Sequence, residues 1–504
     1  MEKFVKYSEN LKLLEQLPQV GLTYPLFAAV CDVPHPSGKI ELLRDHLIAI
    51  AKEYSLEYKV EECSGNLLIA RPAAPGYEAK KPIIMQAHMD MVLECSEGVE
   101  YDDSKDPIKL QFKDINGKQC LMAQGTTLGA DNGIGVAMGL SILLDKDLAK
   151  NTGRMELLCT VDEETTMSGA EKLEPGLFKA TSMINIDSED IGEITIGSAG
   201  GIEVSLKYSP SRCSKAPSNP VHISVKQCTG GHSGVEIQQP RASAIRVVAT
   251  LLACCDQKAE IITIVGGSKP NAIPRSCECD LCFATVEDKD KYVAAMKAAA
   301  TDLIAEYGTS DPEMVIEVEE GSSDTDSPLT AESSTQLVSL LLSLPHGVIR
   351  MSADVAGLVE TSCNLASIKM NEEGEFIIHL HPRSSVNSSL DIVYKKIATI
   401  ALATGYCTVS EPLDPYCGWK PNPSSDLLAV MKKCYEDKYG KEVSVAAIHA
   451  GLECGMFTRS YPTLDAVSVG PTIANPHTPE EYLEVGTVGV VYEAIKATLI
   501  KWFE

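Results

Sequence analysis

Short apolar runs in about the first 200 residues alternate with segments whose apolar residues recur at helical spacing. Three of the runs are typical of buried strands that end in polar or acidic residues: 82–92, 155–161 and 182–187. Segments 38–53 and 132–144 are predicted as helices, the first with Ser37 as its N-cap. Strands that alternate with helices predict a mixed, mostly parallel sheet whose ligands bind beyond the carboxyl ends of the strands.

The pattern changes after about residue 207. From there, strand and helix segments follow one another in two similar halves, which is typical of an α+β unit. Alternation then resumes, with a predicted amphipathic helix at 426–439. We therefore expect an α/β domain formed by residues 1–207 and 412–504, interrupted by an inserted α+β domain over residues 208–411.

Composition and charge narrow the class of protein. Of 504 residues, 44% are apolar and 23% charged, which is ordinary for a soluble globular protein. The formal net charge of −26 argues against a nucleic-acid partner, because the phosphate backbone would be repelled. No window reaches the roughly 18 uninterrupted apolar residues that a membrane helix needs, and the charged N-terminus has no apolar signal core. We expect a cytoplasmic protein without a membrane partner.

The 17 cysteines are scattered, many of them in apolar runs, and are interpreted as buried free thiols. Cys277-x-Cys279-x-x-Cys282 resembles half of a zinc site, but no second Cys or His pair follows at the required spacing. The alternative is a strand that places Cys277 and Cys279 on one face. The strand is the favoured interpretation.

Candidate chemistry lies at or just beyond the predicted strand ends. His88 and Asp90 close the first strand and share a face, so His88 could bind a metal while Asp90 accepts its other ring N–H. Asp131 stands between glycines at a helix start, where a capping aspartate is the alternative.

Three acids, Asp162-Glu163-Glu164, follow the strand 155–161. Adjacent acids on an extended backbone point in opposite directions, so one can bind a metal while the other faces the metal-bound water. A solvated acidic loop is the alternative. Asp187 ends the next strand, and His477 lies in a proline-rich loop near the C-terminus, where a polar surface residue is the alternative.

Taken singly, each of these residues is more readily explained as structural than as catalytic. Together they come from separate strand ends of one predicted sheet, and mixed nitrogen and oxygen ligands suit zinc, cobalt or manganese rather than calcium. With one bridging acid, two metals could lie about 3.5–4 Å apart. The predicted ligands are His88, Asp131, Glu164, Asp187 and His477.

At this point the chain resembles the clan MH di-zinc exopeptidases. Within them it is similar to the branch of cytosolic non-specific dipeptidases, also called aminoacyl-histidine or β-alanyl-histidine dipeptidases. The matching segments occur in collinear order: VPHPSG (33–38), QAHMDMV (86–92), GTTLGADNGIG (125–135), TVDEE (160–164), NIDSE (185–189), GGHSGVEI (230–237), NAIPR (271–275), VETS (359–362), HAGLECG (449–455) and GPTIANPHTPEE (470–481).

The resemblance implies a di-zinc exopeptidase (phosphorylase/hydrolase-like) catalytic domain with an inserted lid domain. It implies two zinc ions per chain, for which Co²⁺ or Mn²⁺ could substitute. His88 and Asp187 would bind one zinc, and Glu164 and His477 the other. Asp131 would bridge them, with a cis peptide bond between Asp131 and Asn132.

The same resemblance makes Glu163 the general base and Asp90 the residue that orients His88. His232 in the lid would stabilise the oxyanion, often in the active site of a partner subunit, which implies a homodimer through the lid domain. Three residues would bind substrate, the first two on its C-terminal side: Asn271, Arg383 and Glu453. A surface arginine at a strand end is the alternative for Arg383.

Some positions depart from the family. Ser243 stands where relatives carry Asn, and a shorter side chain there would reach less far toward a substrate carboxylate. Cys363 and Ala366 occupy positions that vary in the family. The native metal and the side-chain preference, including any preference for carnosine-like dipeptides, stay open.

The predicted function is a metal-dependent dipeptidase that hydrolyses unblocked dipeptides, either Xaa-His or of broad specificity. A hydroxide bridged by zinc would attack the scissile carbonyl, with Glu163 acting first as base and then as acid. The first alternative is a related clan hydrolase: a tripeptidase, an aminoacylase or another deacylase. The second is a non-catalytic peptide-binding homologue, which should have lost metal ligands or Glu163.

Overall fold

The computed structural model describes residues 2–256, 258–322 and 326–504. The chain forms two compact units. Unit 1 comprises the chain up to Gly197 together with Trp419–Ala447 and Leu452–Glu504. Unit 2 comprises Ser198–Gly418 and Ile448–Gly451. Among the described residues, no helix is long and apolar enough to cross a membrane.

The first stretch of unit 1 contains most of its elements. After a short 3₁₀ turn at Glu2–Phe4, its helices are α1 (Ser8–Leu14), α2 (Thr23–Cys31), α3 (Glu41–Glu53), α4 (Ala130–Leu143), α5 (Leu148–Asn151) and α6 (Ser168–Glu171). Its strands are β1 (Glu57–Val60), β2 (Leu67–Arg71), β3 (Ile83–His88), β4 (Leu110–Ile115), β5 (Lys118–Ala123), β6 (Met155–Thr160), β7 (Ser182–Asn185) and β8 (Glu193–Ser198).

Unit 2 follows. Its strands are β9 (Gly200–Tyr208), β10 (Pro220–Lys226), β11 (Glu260–Gly267), β12 (Cys277–Cys282), β13 (Val315–Glu320), β14 (Gly347–Met351), β15 (Val359–Met370), β16 (Phe376–Ser384), β17 (Cys407–Val409) and β18 (Leu413–Tyr416). Its helices are α7 (Ala244–Ala253), α8 (Val286–Tyr307), α9 (Ala331–Ser343) and α10 (Asn387–Thr404).

The chain then returns to unit 1. The remaining elements are α11 (Asp426–Tyr439), β19 (Ser444–Ile448), α12 (Glu453–Ser460), β20 (Asp465–Ser468), β21 (Ile473–Ala474), β22 (Tyr482–Glu484) and α13 (Val485–Phe503). Helix α11 has the predicted bounds, because the Ser425 hydroxyl accepts from the amide of Leu428 at its start and Gly440 at its end has a φ of 72°.

The main sheet of unit 1 has eight strands in the order β1-β2-β6-β3-β7-β20-β8-β19. It is mixed, as predicted, and the pairs among its central strands, β6–β3, β3–β7 and β7–β20, are parallel. The pairs β1–β2, β2–β6 and β20–β8 are antiparallel. The central strands β3, β6 and β7 are buried along their whole length, as expected of parallel strands covered on both faces.

Unit 2 is built on an antiparallel sheet of ten strands. Eight follow the order β13-β10-β12-β11-β15-β16-β9-β17, while β14 pairs with β15 and β18 with β9. Each unit has its own hydrophobic core. The division lies at Gly197 and Gly418, outside the boundaries expected from sequence, because β9, β17 and β18 pair within this sheet.

Two local predictions are corrected or settled by these elements. Helix α3 begins at Glu41 rather than at residue 38 and has no side-chain cap, because the Ser37 hydroxyl donates to the Asp90 carboxylate at 2.8 Å. Cys277, Cys279 and Cys282 lie buried in β12 as free thiols, which confirms the strand interpretation of that segment.

Candidate active site

The parallel centre of the unit 1 sheet brings the predicted ligands to one edge. His88 is the last residue of β3, Glu164 follows β6, and Asp187 follows β7. Strands β3 and β6 are in register there, with His88 opposite Thr160. Because parallel strands end at the same edge, residues just beyond them meet in space.

Asp131 stands at the centre of this arrangement. Its Oδ1 lies 3.0 Å from His88 Nε2, and its Oδ2 lies 3.3 Å from His477 Nε2. His88 Nε2 also lies 3.2 Å from Asp187 Oδ1, and His477 Nε2 lies 2.8 Å from Glu164 Oε2. Two groups of three potential ligands therefore share Asp131: a first group (His88, Asp131, Asp187) and a second group (Asp131, Glu164, His477).

The donor set fits a pair of divalent cations. Each group offers one imidazole nitrogen and carboxylate oxygens within 4.8 Å of one another, which suits zinc and related metals. Glu164 Oε1 is buried and has no hydrogen-bond partner among the described residues, so a lone pair of this carboxylate is left for a cation.

The pKa values of the two histidines also indicate a site suited to cations. Burial alone would lower the pKa of His88, but the carboxylates of Asp187, Asp131 and Asp90 outweigh burial and raise it well above its usual value. Hydrogen bonds to Asp131 and Glu164 raise the pKa of His477 to about 10. Both shifts show a site rich in buried negative charge, which bound cations would stabilise.

Glu163 is the predicted base. Burial raises the pKa of its carboxyl well above the usual range, and the charges of Asp187, Glu453 and Glu164 add to this effect. Its carboxylate lies within 4.8 Å of a potential ligand atom of His88 and of Glu164. A carboxyl of raised pKa beside these potential ligand groups is suited to taking and returning a proton.

The Asp90 carboxylate does not accept the hydrogen bond from His88 that the sequence analysis expected. The hydrogen bond from His88 Nδ1, at 2.9 Å, is to the Asp90 backbone carbonyl, while the carboxylate lies 3.7 Å away. That carboxylate instead accepts from the backbone amides of Glu163 and Glu164 at 3.1 and 3.2 Å. Asp90 therefore positions both the imidazole of His88 and the segment that carries Glu163 and Glu164.

The acidic segment after β6 is a turn rather than extended backbone. Asp162 has a φ of 56°, and its carbonyl accepts from the amides of residues 165–167. Its carboxylate accepts from the amide of Gly38 and the hydroxyl of Ser168. A positive φ is uncommon for a residue with a side chain but more frequent for Asp.

Asp131 lies in a non-helical start of α4. Gly129 has a φ of 66°, and Asp131 and Asn132 depart from helical angles. The Asp131–Asn132 peptide bond is cis, as the family resemblance implied. The side-chain amide of Asn132 donates to Asp187 Oδ1, so the loop that carries the shared ligand also contacts the first group.

Behind the ligands, a buried row of polar side chains crosses the central strands. The Gln86 amide donates to Glu453 Oε2 at 2.7 Å, and the Asn185 amide donates to Gln86 Oε1 at 2.5 Å. Ser468 on β20 continues the row by donating to Asn185 Oδ1. Gln86 and Asn185 each stand two residues before a ligand, so the row lies on the same strand faces as His88 and Asp187.

Glu453 terminates this row at the start of α12. Its side chain is 1% exposed, and Thr160 Oγ1 also donates to it at 2.7 Å. Burial raises its pKa to about 8. These contacts favour support of the ligand-bearing strands over the direct substrate contact expected from the sequence.

Unit 2 holds a second set of predicted residues. His232 follows two glycines, and its Nδ1 accepts from the backbone amides of Gly234 and Val235, both at 3.2 Å. Burial, with the nearby charge of Arg383, lowers its pKa. A neutral ring that accepts at Nδ1 carries its proton on Nε2, so His232 presents an N–H donor.

Arg383 is buried rather than on the surface, with 5% exposure, which removes the alternative considered for it. One of its guanidinium nitrogens donates to the Tyr416 hydroxyl at 2.7 Å, whereas Nε has no partner among the described residues. Its charge also lowers the pKa of His381 and His449, after burial, to about 3 in each. Arg383 is thus the positively charged member of a buried polar cluster that it forms with Tyr416, His381 and His449.

Asn271 lies on an exposed loop next to Pro270. Its carbonyl accepts from the amide of Ser233, next to His232. The side-chain amide of Asn364, on β15, donates to the carbonyls of Pro270 and Ala272 and so fixes the loop to this strand. Asn364 and His381 are directly opposite on β15 and β16, as are Ser362 and Arg383.

Sequence reasoning missed His381, His449, Tyr416 and Asn364. The alternation His379-x-His381-x-Arg383 in β16 was the available signal, since residues two apart share a strand face. In unit 1 it missed Glu189, whose pKa burial and the charges of Asp131 and Asp187 raise to about 8.

The sequence was compared with models of protein families and with known proteins, and both comparisons indicate a peptidase. The model of peptidase family M20/M25/M40 matches residues 84–501. The chain is 34% identical over 470 residues to the cytosol non-specific dipeptidase of Escherichia coli (strain K12), covering 92% of this chain and 94% of that protein.

Solved structures agree. The aminoacylhistidine dipeptidase of Vibrio alginolyticus is similar with a TM-score of 0.88 and 34% identity, over 95% of this chain and 96% of that one. Aminopeptidase PepT of Bacillus cereus shares the fold, with a TM-score of 0.55 and 16% identity over 96% and 99% of the two chains. The α/β fold with its mixed sheet is therefore confirmed, and this chain belongs to peptidase family M20/M25/M40, whose members use divalent metal ions.

Proposed function

We propose that this protein is a metal-dependent dipeptidase that binds two zinc ions per chain and hydrolyses unblocked dipeptides. One observation carries the proposal: the two oxygens of Asp131 face two different histidines, each with a further acid of its own. A single carboxylate shared in this way is what a two-metal site requires. The similarity to a dipeptidase over 92% of the chain supplies the substrate class.

When bound, the metal pair would lower the pKa of a water and polarise the scissile carbonyl. Glu163 accepts the proton of the attacking water, for which the raised pKa of its carboxyl is suited. The same carboxyl then passes the proton to the leaving amine. Asp90 holds Glu163 in place through the hydrogen bond to its backbone amide.

Unit 2, in this proposal, supplies recognition of the substrate. The buried Arg383, with an Nε that has no partner, is suited to the carboxylate of a dipeptide. His232, with its proton on Nε2, is suited to donating to the oxyanion. Asn271 lies on the loop hydrogen-bonded to the amide next to His232, where it would bind the C-terminal residue of the substrate.

A homodimer through unit 2 is also proposed. Strand β14 pairs with β15 along one edge only, among the described residues. Its side chains Val348, Ile349 and Met351 are 39–45% exposed. Exposed apolar side chains on an edge strand make it a template for pairing with another chain, and a second copy in a symmetric arrangement would cover them, with Arg350 between them ion-paired to Glu360.

The first prediction concerns substrate and metal together. One purified sample should contain about two divalent ions per chain and hydrolyse dipeptides, because two ligand groups are present. Tripeptides and N-acyl amino acids should turn over far more slowly. Elemental analysis and a substrate panel measure both. Preferred hydrolysis of tripeptides or N-acyl amino acids would assign the alternative hydrolase, and a metal-free, inactive sample would indicate a binding protein.

Replacement of Glu163 by Gln should leave both metal groups intact but lower kcat by roughly 10²- to 10⁴-fold, because it removes the general base. Elemental analysis and steady-state kinetics on one dipeptide measure the two effects. Glu171→Gln, at an exposed position of α6, is the control and should be unaffected. Near wild-type turnover of E163Q would make the assignment of the base wrong.

Replacement of Arg383 by Met should lower kcat/KM for a dipeptide by roughly 10- to 100-fold, the loss of a hydrogen bond to a charged group. The same variant should change little toward the corresponding dipeptide with an amidated C-terminus, which has no carboxylate to recognise. Arg459→Met is the control, at an exposed position. An equal loss on both substrates would show that Arg383 does not read the carboxylate.

Light scattering should give the mass of two chains for the wild-type protein. Ile349→Lys should give the mass of one chain, since an unpaired charge beside Arg350 opposes burial of this edge against a second copy. Leu402→Lys, at a position 75% exposed on α10, should stay dimeric. A wild-type monomer, or a dimer that survives I349K unchanged, would contradict the proposed interface.

A further inference from the structure

Glu481 has an unusual set of contacts for a buried carboxylate. Its side chain is 1% exposed and accepts four hydrogen bonds, all from backbone amides. Oε2 accepts from Leu128 and Gly129, both at 2.9 Å. Oε1 accepts from Ala130 at 2.8 Å and from Asp131 at 3.3 Å. The four donors are consecutive residues and end at the shared ligand of the two metal groups.

These amides need a partner for a general reason. The first amides of a helix have no acceptor within the helix, and a side chain at the N-cap usually supplies one. Here the N-cap of α4 is Gly129, which has no side chain to do so. The acceptor comes instead from Glu481, 350 residues away from Asp131 along the chain.

The hydrogen bonds of Glu481 also link two segments that are far apart in the chain. Glu481 lies four residues after His477, in the segment between β21 and β22. One carboxylate therefore ties the backbone of Asp131 to the segment that carries His477. Those two residues face each other, with Asp131 Oδ2 3.3 Å from His477 Nε2.

A buried carboxylate is a costly way to cap a helix. Transfer of a charge out of water is unfavourable unless hydrogen bonds compensate it, and here amides alone do so. The charge also lies next to the Asp131 carboxylate, which repels it. A short N-cap side chain would satisfy the helix at lower cost, so capping by itself does not account for Glu481.

We propose that Glu481 is a positioning residue for the metal centre. By holding the amides of residues 128–131, it fixes where the Asp131 carboxylate stands relative to His477, and so sets the affinity of both metal positions. The inference rests on the proposed two-metal function. Glu481 itself is not a ligand in this proposal, since both its oxygens are occupied by amides.

The test compares Glu481→Gln with Glu480→Gln, its exposed neighbour in sequence. E481Q keeps the length of the side chain but turns an amide NH₂ toward two N–H donors. Each protein is stripped with a chelator and titrated with Co²⁺, following visible absorption and binding affinity. Circular dichroism of the stripped proteins establishes whether the fold is retained, and kinetics on one dipeptide separate kcat from KM.

We expect E481Q to stay folded and to bind Co²⁺ with roughly 10- to 100-fold lower affinity, the usual effect of losing a partner outside the ligands. Its absorption bands should differ from those of the wild type, because Asp131 would be displaced, and kcat should fall more than KM rises. E480Q should match the wild type throughout. A merely structural cap would lower stability but leave affinity and spectrum unchanged, and that result would overturn the inference.

If E481Q does not fold, Glu481→Asp decides the question with the same measurements. The shorter acid keeps the charge but cannot reach all four amides, so a loss of Co²⁺ affinity is expected, and unchanged affinity overturns the inference. The wild-type titration separates this outcome from failure of the proposed function. A wild-type protein that binds fewer than two ions refutes the two-metal site, whatever the variants do.

Discussion

The placement of one carboxylate, Asp131, is the constraint on which the rest of unit 1 depends. Each of its oxygens faces a different histidine, and each histidine faces one further acid. Bringing three acids this close without solvent is unfavourable unless positive charge is present. Most features around the site serve to hold that arrangement: the non-helical start of α4, the turn at Asp162 and the carboxylate of Asp90 beneath the Glu163–Glu164 segment.

The architecture explains how these residues are held in place. Strands β6, β3, β7 and β20 are parallel and in register, so their ends form one edge. The row of Gln86, Asn185 and Ser468 links adjacent strands by side chains as well as by backbone. Gln86, Asn185 and Ser468 are hydrogen-bonded to one another across the strands, so a slip of one strand would leave these buried groups unpaired. Ligands two residues further on inherit that alignment.

Sequence reasoning selected the candidate residues that the structure brings together, because strand ends and acidic motifs are local signals. It located His88, Glu164 and Asp187 by the strands they follow, and a resemblance supplied Asp131 as the bridge. Sequence reasoning assigned the Asp90 carboxylate to the wrong partner. It also took residues 162–164 as extended, because the positive φ at Asp162 accompanies contacts that the local sequence does not reveal: one with Gly38, far away in the chain, and one with Ser168, further along it. Glu481 and Arg383 show the same limit, since burial and long-range partners decide what each does.

The insertion of unit 2 into unit 1 has a consequence for synthesis. All three residues of the first group precede residue 188, whereas the second group needs His477, which follows the whole of unit 2. The growing chain therefore completes the two groups at widely separated times. Domains generally fold as units in order of synthesis, and metal binding is coupled to folding. Unit 2 leaves the ribosome nearly complete while β20 and His477 are still to be made, so the second group is completed well after the first.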